Sequence, residues 1–257
     1  MLKKIIKYLL PYFFVDLYRR INPPPLPPAR ILFEDNFKKK INVLADNRFL
    51  CNYDDIWPCL DDATDNTSFD SHYVYHSGWA ARCLSKLMPS VHIDIGSNLY
   101  FITIASAFVP IKFYDYRPAK LNLSNLNSDF TDILSLPFPD LSIESISCMH
   151  VVEHIGLERY GDPFDPQGDL KAINELIRVL KHGGTLLFVV PLGDQMRIQY
   201  NAHRIYTYEY IMNCFSNLTL ENFAFINDNG QFFNSASIND VINQKYGCGC
   251  FCFKKIN

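Results

Sequence analysis

Between His92 and Pro191 the chain repeats one pattern: a short apolar run ends on a polar or acidic residue, often with a stretch of helical periodicity after it. Val91-His-Ile-Asp94-Ile-Gly96-Ser97 comes first and Phe113-Tyr-Asp115 second. Asp132-Ile133 follows, ahead of Leu136-Pro-Phe138, and then Met149-His150-Val-Val-Glu153-His154. Gly183-Gly184 and the apolar run Thr185 to Val190 close the series. Strands alternating with helices predict a parallel sheet with crossover helices on both faces. In such sheets ligands bind beyond the carboxyl ends of the strands, where these polar residues fall. The series marks a nucleotide-type cofactor site.

Local signals place the elements. A strand over Val91–Ile95 delivers Asp94 and Gly96 to the sheet edge, and Asn98 to Phe108 reads as the next helix. Glycine at that turn lets backbone approach a ligand closely. Asp115 ends the second strand about 20 residues on, the spacing at which a carboxylate meets ribose hydroxyls. A dinucleotide fingerprint needs more glycines after Gly96, and they are absent. Asp165-Pro166 predicts a helix start, with Leu170, Ile173, Leu176, Ile177 and Leu180 as its core stripe and Gly183-Gly184 as its stop. Thr207 caps a helix running through Phe215, and Leu220–Ile226 is a strand. The polar stretch Asn227 to Asn239 reads as a flap, and Cys248–Lys254 as a last, antiparallel strand.

Three regions follow from composition: 1–28, 29–90 and 91–257. Residues 1–20 set Lys3, Lys4, Lys7, Arg19 and Arg20 against Asp16 alone, with apolar residues at helical spacing. Such a basic amphipathic helix suits an anionic membrane face or a protein surface equally well. A Pro-rich spacer, Asn22 to Pro28, follows it. Residues 29–90 read as a cap and approach region. Its loops lie at Trp57-Pro58, Asp61-Asp62 and Thr64 to Ser68, and its helix at Tyr75–Met88 carries Trp79, Cys83, Leu84 and Leu87 on one face. His72, Tyr73, Tyr75 and His76 at the helix start read chiefly as packing residues. The net charge of −3 argues against nucleic acid as a partner. Eight cysteines without paired spacing fit a reducing cytoplasm. Cys248, Cys250 and Cys252 alternate, so they predict a buried strand face and no metal cluster.

The motifs resemble those of class I S-adenosylmethionine-dependent methyltransferases over about Val91 to Phe253. Within that class the chain is similar to a bacterial family of unknown function associated with surface-polysaccharide biosynthesis. The likeness is carried by His92 to Ser97, Tyr114-Asp-Tyr-Arg-Pro118, His150 to Gly156, Arg159-Tyr-Gly-Asp-Pro163, Gly168-Asp-Leu-Lys-Ala172 and Asn201-Ala-His-Arg-Ile-Tyr206. The resemblance implies an α/β Rossmann-like sheet of seven strands, the last antiparallel, with helices on both faces and an N-terminal helical cap. It implies S-adenosylmethionine as cofactor, with Asp94, Gly96 and Ser97 at the methionine end and Asp115 at the ribose. Asp132 and Ile133 then meet the adenine, and Met149 lies near the sulfonium. Glu153, His154, Arg159, Tyr160, Asn201 and Arg204 are expected on the acceptor side.

His150-Val-Val-Glu153-His154 also spells the H-x-x-E-H of a zinc peptidase. That chemistry needs both histidines on one helical face, whereas here the motif follows a strand and precedes Gly156. Methyl transfer mainly requires alignment and exclusion of water. A sugar hydroxyl also benefits from a base; His150 is the first candidate, His203 the second and Asp162 the third. The expected function is O-methylation of a sugar in a bacterial surface glycan, in the cytoplasm or on the inner membrane face. The alternative is a non-catalytic cofactor-binding or assembly protein that keeps the fold.

Overall fold

The computed structural model describes residues 27–44 and 48–256, so the basic N-terminal stretch and most of the Pro-rich spacer lie outside the described residues. The chain divides into two compact units, Met1–Ser68 and Phe69–Asn257. In the first, helix α1 (Pro28–Leu44) buries none of its residues. Its sequence carries no strong apolar stripe, so the pattern does not announce it. Ion pairs one turn apart support it instead: Arg30 with Glu34 at 2.9 Å, and Asp35 with Lys39.

The second unit opens with α2 (Ser71–Leu87), four residues earlier than the expected Tyr75, because the Asp70 side chain accepts from the Tyr73 N–H and caps it. Trp79, Ala80 and Leu84 are buried on its inner face, while Leu87 is exposed. There follow β1 (His92–Ile95), α3 (Leu99–Ala105), β2 (Ile111–Asp115), β3 (Leu126–Phe130), β4 (Ile143–Met149), α4 (Gly168–Val179) and β5 (Leu180–Leu192). Then come β6 (Arg197–Gln199), β7 (His203–Ile205), α5 (Tyr208–Cys214), β8 (Thr219–Ile226), β9 (Phe232–Phe233) and β10 (Gly247–Lys254). The main sheet runs β3-β2-β1-β4-β5-β10-β8-β9, and β6 pairs with β7 apart from it. Strands β1 to β5 are mutually parallel, and β10 lies antiparallel between β5 and β8. This is the expected sheet, extended by the two-residue β9.

Alternation along β5 shows why both faces need cover. Leu186, Phe188 and Val190 pack with Ile173 and Leu176 of α4, whereas Leu187 and Val189 pack with Trp79 of α2 and Phe101 of α3. Cys248, Cys250 and Cys252 all join the second face. Several boundaries differ from expectation. Asp165 does not start α4; its side chain accepts from the Gln167 N–H at 3.0 Å in a turn, and the helix begins at Gly168. Gly183-Gly184 does not stop it either. The helix ends at Val179, and Gly183 lies inside β5, donating its N–H to the Lys255 carbonyl at 2.7 Å. Helix α3 ends at Ala105, short of Phe108. The supposed flap contains β9 and a short turn at Ile238–Asp240, held by a reciprocal Ser237–Asp240 cap.

Candidate active site

Two cavities meet at the carboxyl edge of the sheet. The first lies over the ends of β1, β2 and β4 and the turn after β3; Gly96, Asp115, Asp132, Ile133, Tyr160 and Asp162 line it. Gly96 has φ +66°, and a Cβ there would stand 3.1 Å from Val151 and 3.4 Å from Asp115 Oδ2. The missing side chain leaves the floor of the cleft open. Asp115 Oδ1 accepts from the Arg117 N–H at 2.6 Å, which fixes the carboxylate and turns Oδ2 toward the Gly96 turn. Asp132 Oδ1 is fixed likewise by the Leu134 N–H at 2.9 Å. Arg117 lies over the Tyr160 ring, 4.3 Å from its centre.

Asp94, Ser97 and Met149, expected at the cofactor, do not line this cleft. They form its foundation. Asp94 is fully buried; Oδ1 accepts from the Ser97 N–H at 3.0 Å and Oδ2 accepts from the Ser147 hydroxyl. The Ser97 hydroxyl oxygen accepts from the Met149 N–H at 3.2 Å, tying the β1 turn to the end of β4. His92 bridges Ser145 and Ser147 at 2.7 and 2.8 Å. Burial pushes the Asp94 carboxyl up to about 6, against the opposing effect of its serine partners, and pushes His92 down to about 3.

The second cavity has a volume of about 560 Å³, and Asp70, His72, Tyr73, Glu153, Arg159, His203, Asp228 and Tyr246 are among the residues that line it. His150 and His154 line both cavities. His150 sits in the left-handed region at φ +57°, held by its N–H to the Val189 carbonyl at 2.8 Å. Its Nδ1 bonds Glu153 Oε1 at 2.8 Å and its Nε2 faces Cys248 Sγ at 3.4 Å. The ring stacks against His72 and Tyr73, with centroids 5.9 and 5.4 Å away. Burial holds His150 near 4, and lifts Glu153 to about 7. Glu153 Oε2 and His203 Nε2 are buried without a hydrogen-bond partner among the described residues. Burial also lowers His203, with the Glu153 carboxylate opposing.

Other expected residues separate. Arg159 lines the second cavity and donates to the Ala202 carbonyl at 2.9 Å, and His154 Nδ1 contacts the same oxygen at 2.7 Å. Arg204 instead is buried, donating to the Ile155 carbonyl at 2.7 Å, and Asn201 lines neither cavity. Asp162 accepts from the Gly156 N–H at 2.6 Å. At Gly156 φ is +78°, and a Cβ would overlap the Asp165 carbonyl oxygen. The H-x-x-E-H segment is no peptidase helix: Val152–His154 is a single 3-10 turn and His150 precedes it. Instead the ligating atoms of His72, His150 and Cys248 lie within 4.8 Å of one another. Asp70, His72, Tyr73, Asp228, Tyr246 and Cys248 were missed as site residues. The histidine pair around Tyr73 was the visible signal, but nothing in the sequence sets it beside residue 150.

Residues 139–234 match a family described as Caenorhabditis protein of unknown function, DUF268. The association with bacterial polysaccharide synthesis is not part of that description. The chain is 28% identical over 113 residues to the uncharacterized protein MJ0638 of Methanocaldococcus jannaschii, covering 44% of this chain and 36% of that protein. The match thus spans about a third of the relative's length. Among solved structures, the YcgJ protein of Bacillus subtilis superposes with a TM-score of 0.50 at 16% identity, over 72% of this chain and 99% of that one. The N-methyltransferase NodS of Bradyrhizobium japonicum WM9, solved with S-adenosyl-L-homocysteine, gives 0.50 at 15% identity, over 77% and 94%. The MccD protein gives 0.51 at 16% identity, over 70% and 96%. At these identities the likeness is one of fold: a Rossmann-like α/β sheet shared with a methyltransferase.

Proposed function

We propose that this chain transfers the methyl group of S-adenosylmethionine to a sugar hydroxyl of a bacterial surface glycan. The observation that carries the reading is the pair of cavities joined at His150 and His154. The first fits the cofactor: a glycine floor, the Asp115 oxygen for ribose hydroxyls, and Asp132 with apolar Ile133 for the adenine. Bound there, S-adenosylmethionine supplies a methyl group activated by its sulfonium. The second cavity falls within the usual size range of small-molecule sites. Its carboxylates, Arg159 and the ring faces of Tyr73 and Tyr246 suit a polyhydroxylated acceptor.

His203 is the better base. His150 has both ring nitrogens engaged, with Glu153 and Cys248, which leaves neither free to take a proton from an acceptor. His203 Nε2 has no partner among the described residues, and His203 lines the acceptor cavity. The test supplies methyl-labelled S-adenosylmethionine with sugar acceptors and follows S-adenosylhomocysteine. Product with a hydroxylated sugar supports the reading, and a missing methyl group in glycans of cells lacking the gene identifies the acceptor. Binding of S-adenosylhomocysteine without turnover of any acceptor supports the non-catalytic alternative. Failure to bind it overturns both.

Residues 1–20 would dock this activity on an anionic inner leaflet through their basic amphipathic pattern. No described helix is long and apolar enough to cross a membrane. Equal co-sedimentation with anionic vesicles after deletion of residues 1–20 removes this assignment.

A further inference from the structure

We propose that His72, His150 and Cys248 bind one divalent transition-metal ion, zinc by preference, with an open coordination position toward the acceptor cavity. The three ligating atoms already converge within 4.8 Å. His150 Nε2 and Cys248 Sγ stand 3.4 Å apart. A tetrahedral zinc with bonds of about 2.0–2.1 Å to nitrogen and 2.3 Å to sulfur needs an N···S edge of about 3.5 Å. That edge is present before any ion enters. One thiolate with two imidazoles is a donor set that zinc favours over the hard cations. Among the described residues three ligands converge rather than four, the pattern of a catalytic zinc site, whose fourth position takes water or substrate.

The surroundings support the same reading. Glu153 stands behind His150 at 2.8 Å on Nδ1, which leaves Nε2 to present its lone pair to Cys248. A carboxylate bonded to the far nitrogen of a histidine is the usual support of a metal-bound imidazole. It also gives a reason for a carboxylate only 1% exposed, whose other oxygen has no partner among the described residues. Each ligand sits on a fixed element: His72 in the first turn of α2, His150 at the end of β4, and Cys248 in β10, paired with Pro191 and Ile226. Cys250 and Cys252 share the strand face of Cys248 but lie along it in the core. Cys248 differs from them in meeting two histidines.

The metal site stands on geometry alone; what it does rests on the methyl-transfer reading. With an ion held by His72, His150 and Cys248, an acceptor oxygen at the open position would be polarised. Its proton would pass to His203 as the O–H bond breaks. The O–CH3 bond would form as the S–CH3 bond breaks, with the electron pair left on the sulfur of neutral S-adenosylhomocysteine.

The test uses the full chain, freed of metal by a chelator and titrated with Co2+ alone, then with Zn2+. One equivalent of Co2+ should give a thiolate-to-cobalt charge-transfer band that Zn2+ abolishes. Cys248→Ser should lose the band, and His72→Ala, which removes a direct ligand, should weaken Zn2+ binding by more than the roughly tenfold to hundredfold that loss of an outer-shell partner costs, whereas Cys250→Ser should keep both. Circular dichroism identifies any variant that fails to fold, and His72→Ala, at a half-buried helix start, is the second line if Cys248→Ser does fail. Absence of stoichiometric binding, or binding unchanged in His72→Ala, overturns the site. Calorimetry with S-adenosylhomocysteine separates the two readings. A chain that binds the nucleoside but no Co2+ refutes only the metal, and one that binds Co2+ but no nucleoside refutes only the cofactor site.

Discussion

The two cavities share a wall yet are made differently. The first is backbone turned at successive strand ends, with Asp115 and Asp132 each pinned by the N–H group two residues on. The second is made of side chains from distant segments, around residues 70–73, 150–154, 202–203 and 227–246. In the first, polar groups satisfy one another locally. In the second, Glu153 and His203 each keep a buried atom without a partner among the described residues, an expensive arrangement in a folded protein. A scaffold can hold a common cofactor with generic turns. Recognising and activating one acceptor takes groups poised for something not yet bound.

Mutations should separate the two sides. His203→Ala has the largest expected effect, a loss of turnover of about 10²–10⁴, with affinity for S-adenosylhomocysteine unchanged. Full turnover in that variant removes the base, and a parallel loss of nucleoside affinity breaks the separation. Gly156→Ala strikes the wall of the first cavity, two residues beyond the shared His154, where a Cβ meets backbone at φ +78°. It should cost about 3 kcal/mol or more of folding stability in urea titrations; an unchanged midpoint shows that the wall can yield. Asp115→Ala is the mirror of the first variant: nucleoside binding should weaken by about 1.5–3 kcal/mol in calorimetry. Asp132→Ala should weaken it less, because Ile133 keeps its ring contact.

The smallest expected effect lies beneath the cofactor turn and depends on pH. His92 is held near 3 by burial, against 6.5 in the unfolded chain. Its neutral form is no burden above 6.5, but as pH falls from 6.5 toward 3 the unfolded state takes up a proton that the fold refuses. Stability is therefore lost on acidification, by about 1.4 kcal/mol at roughly pH 5.5. His92→Gln should lose less stability than the parent chain between about pH 7.5 and 5.5, as read from urea midpoints. Equal losses in the two chains refute the contribution of His92.

The first cavity was legible because each of its features is local. Gly96, Asp115 and Asp132 are found by where apolar runs end, and Thr207 caps α5 as its position predicts. Asp94 was located rightly but faces inward, since a strand end can turn a carboxylate into the sheet as readily as out of it. Neighbours in one motif also part company for a simple reason. Along β7 alternate side chains take opposite sides, so His203 reaches the cavity while Arg204 is buried against the Ile155 carbonyl. The meeting of His72, His150 and Cys248 joins a helix start to two strands, and contacts so distant in the chain leave no periodic trace. The limits of α4 were misread because glycines can bend a strand as well as end a helix.

Gly156 carries a consequence for how such a chain can diversify. Its N–H is bonded to Asp162, and its carbonyl accepts from the Asp165 N–H at 3.1 Å, so the loop that walls the first cavity is fused to the approach of α4. Under the proposed function, a side chain at Gly156 would disturb the cofactor side of the molecule. Under that reading, new acceptor preferences would be written at the start of α2 around residues 70–73, and in the stretch between β8 and β10 that brings in Asp228 and Tyr246, which line the second cavity alone. A library confined to those two segments can explore acceptors while the nucleoside cleft stays as it is.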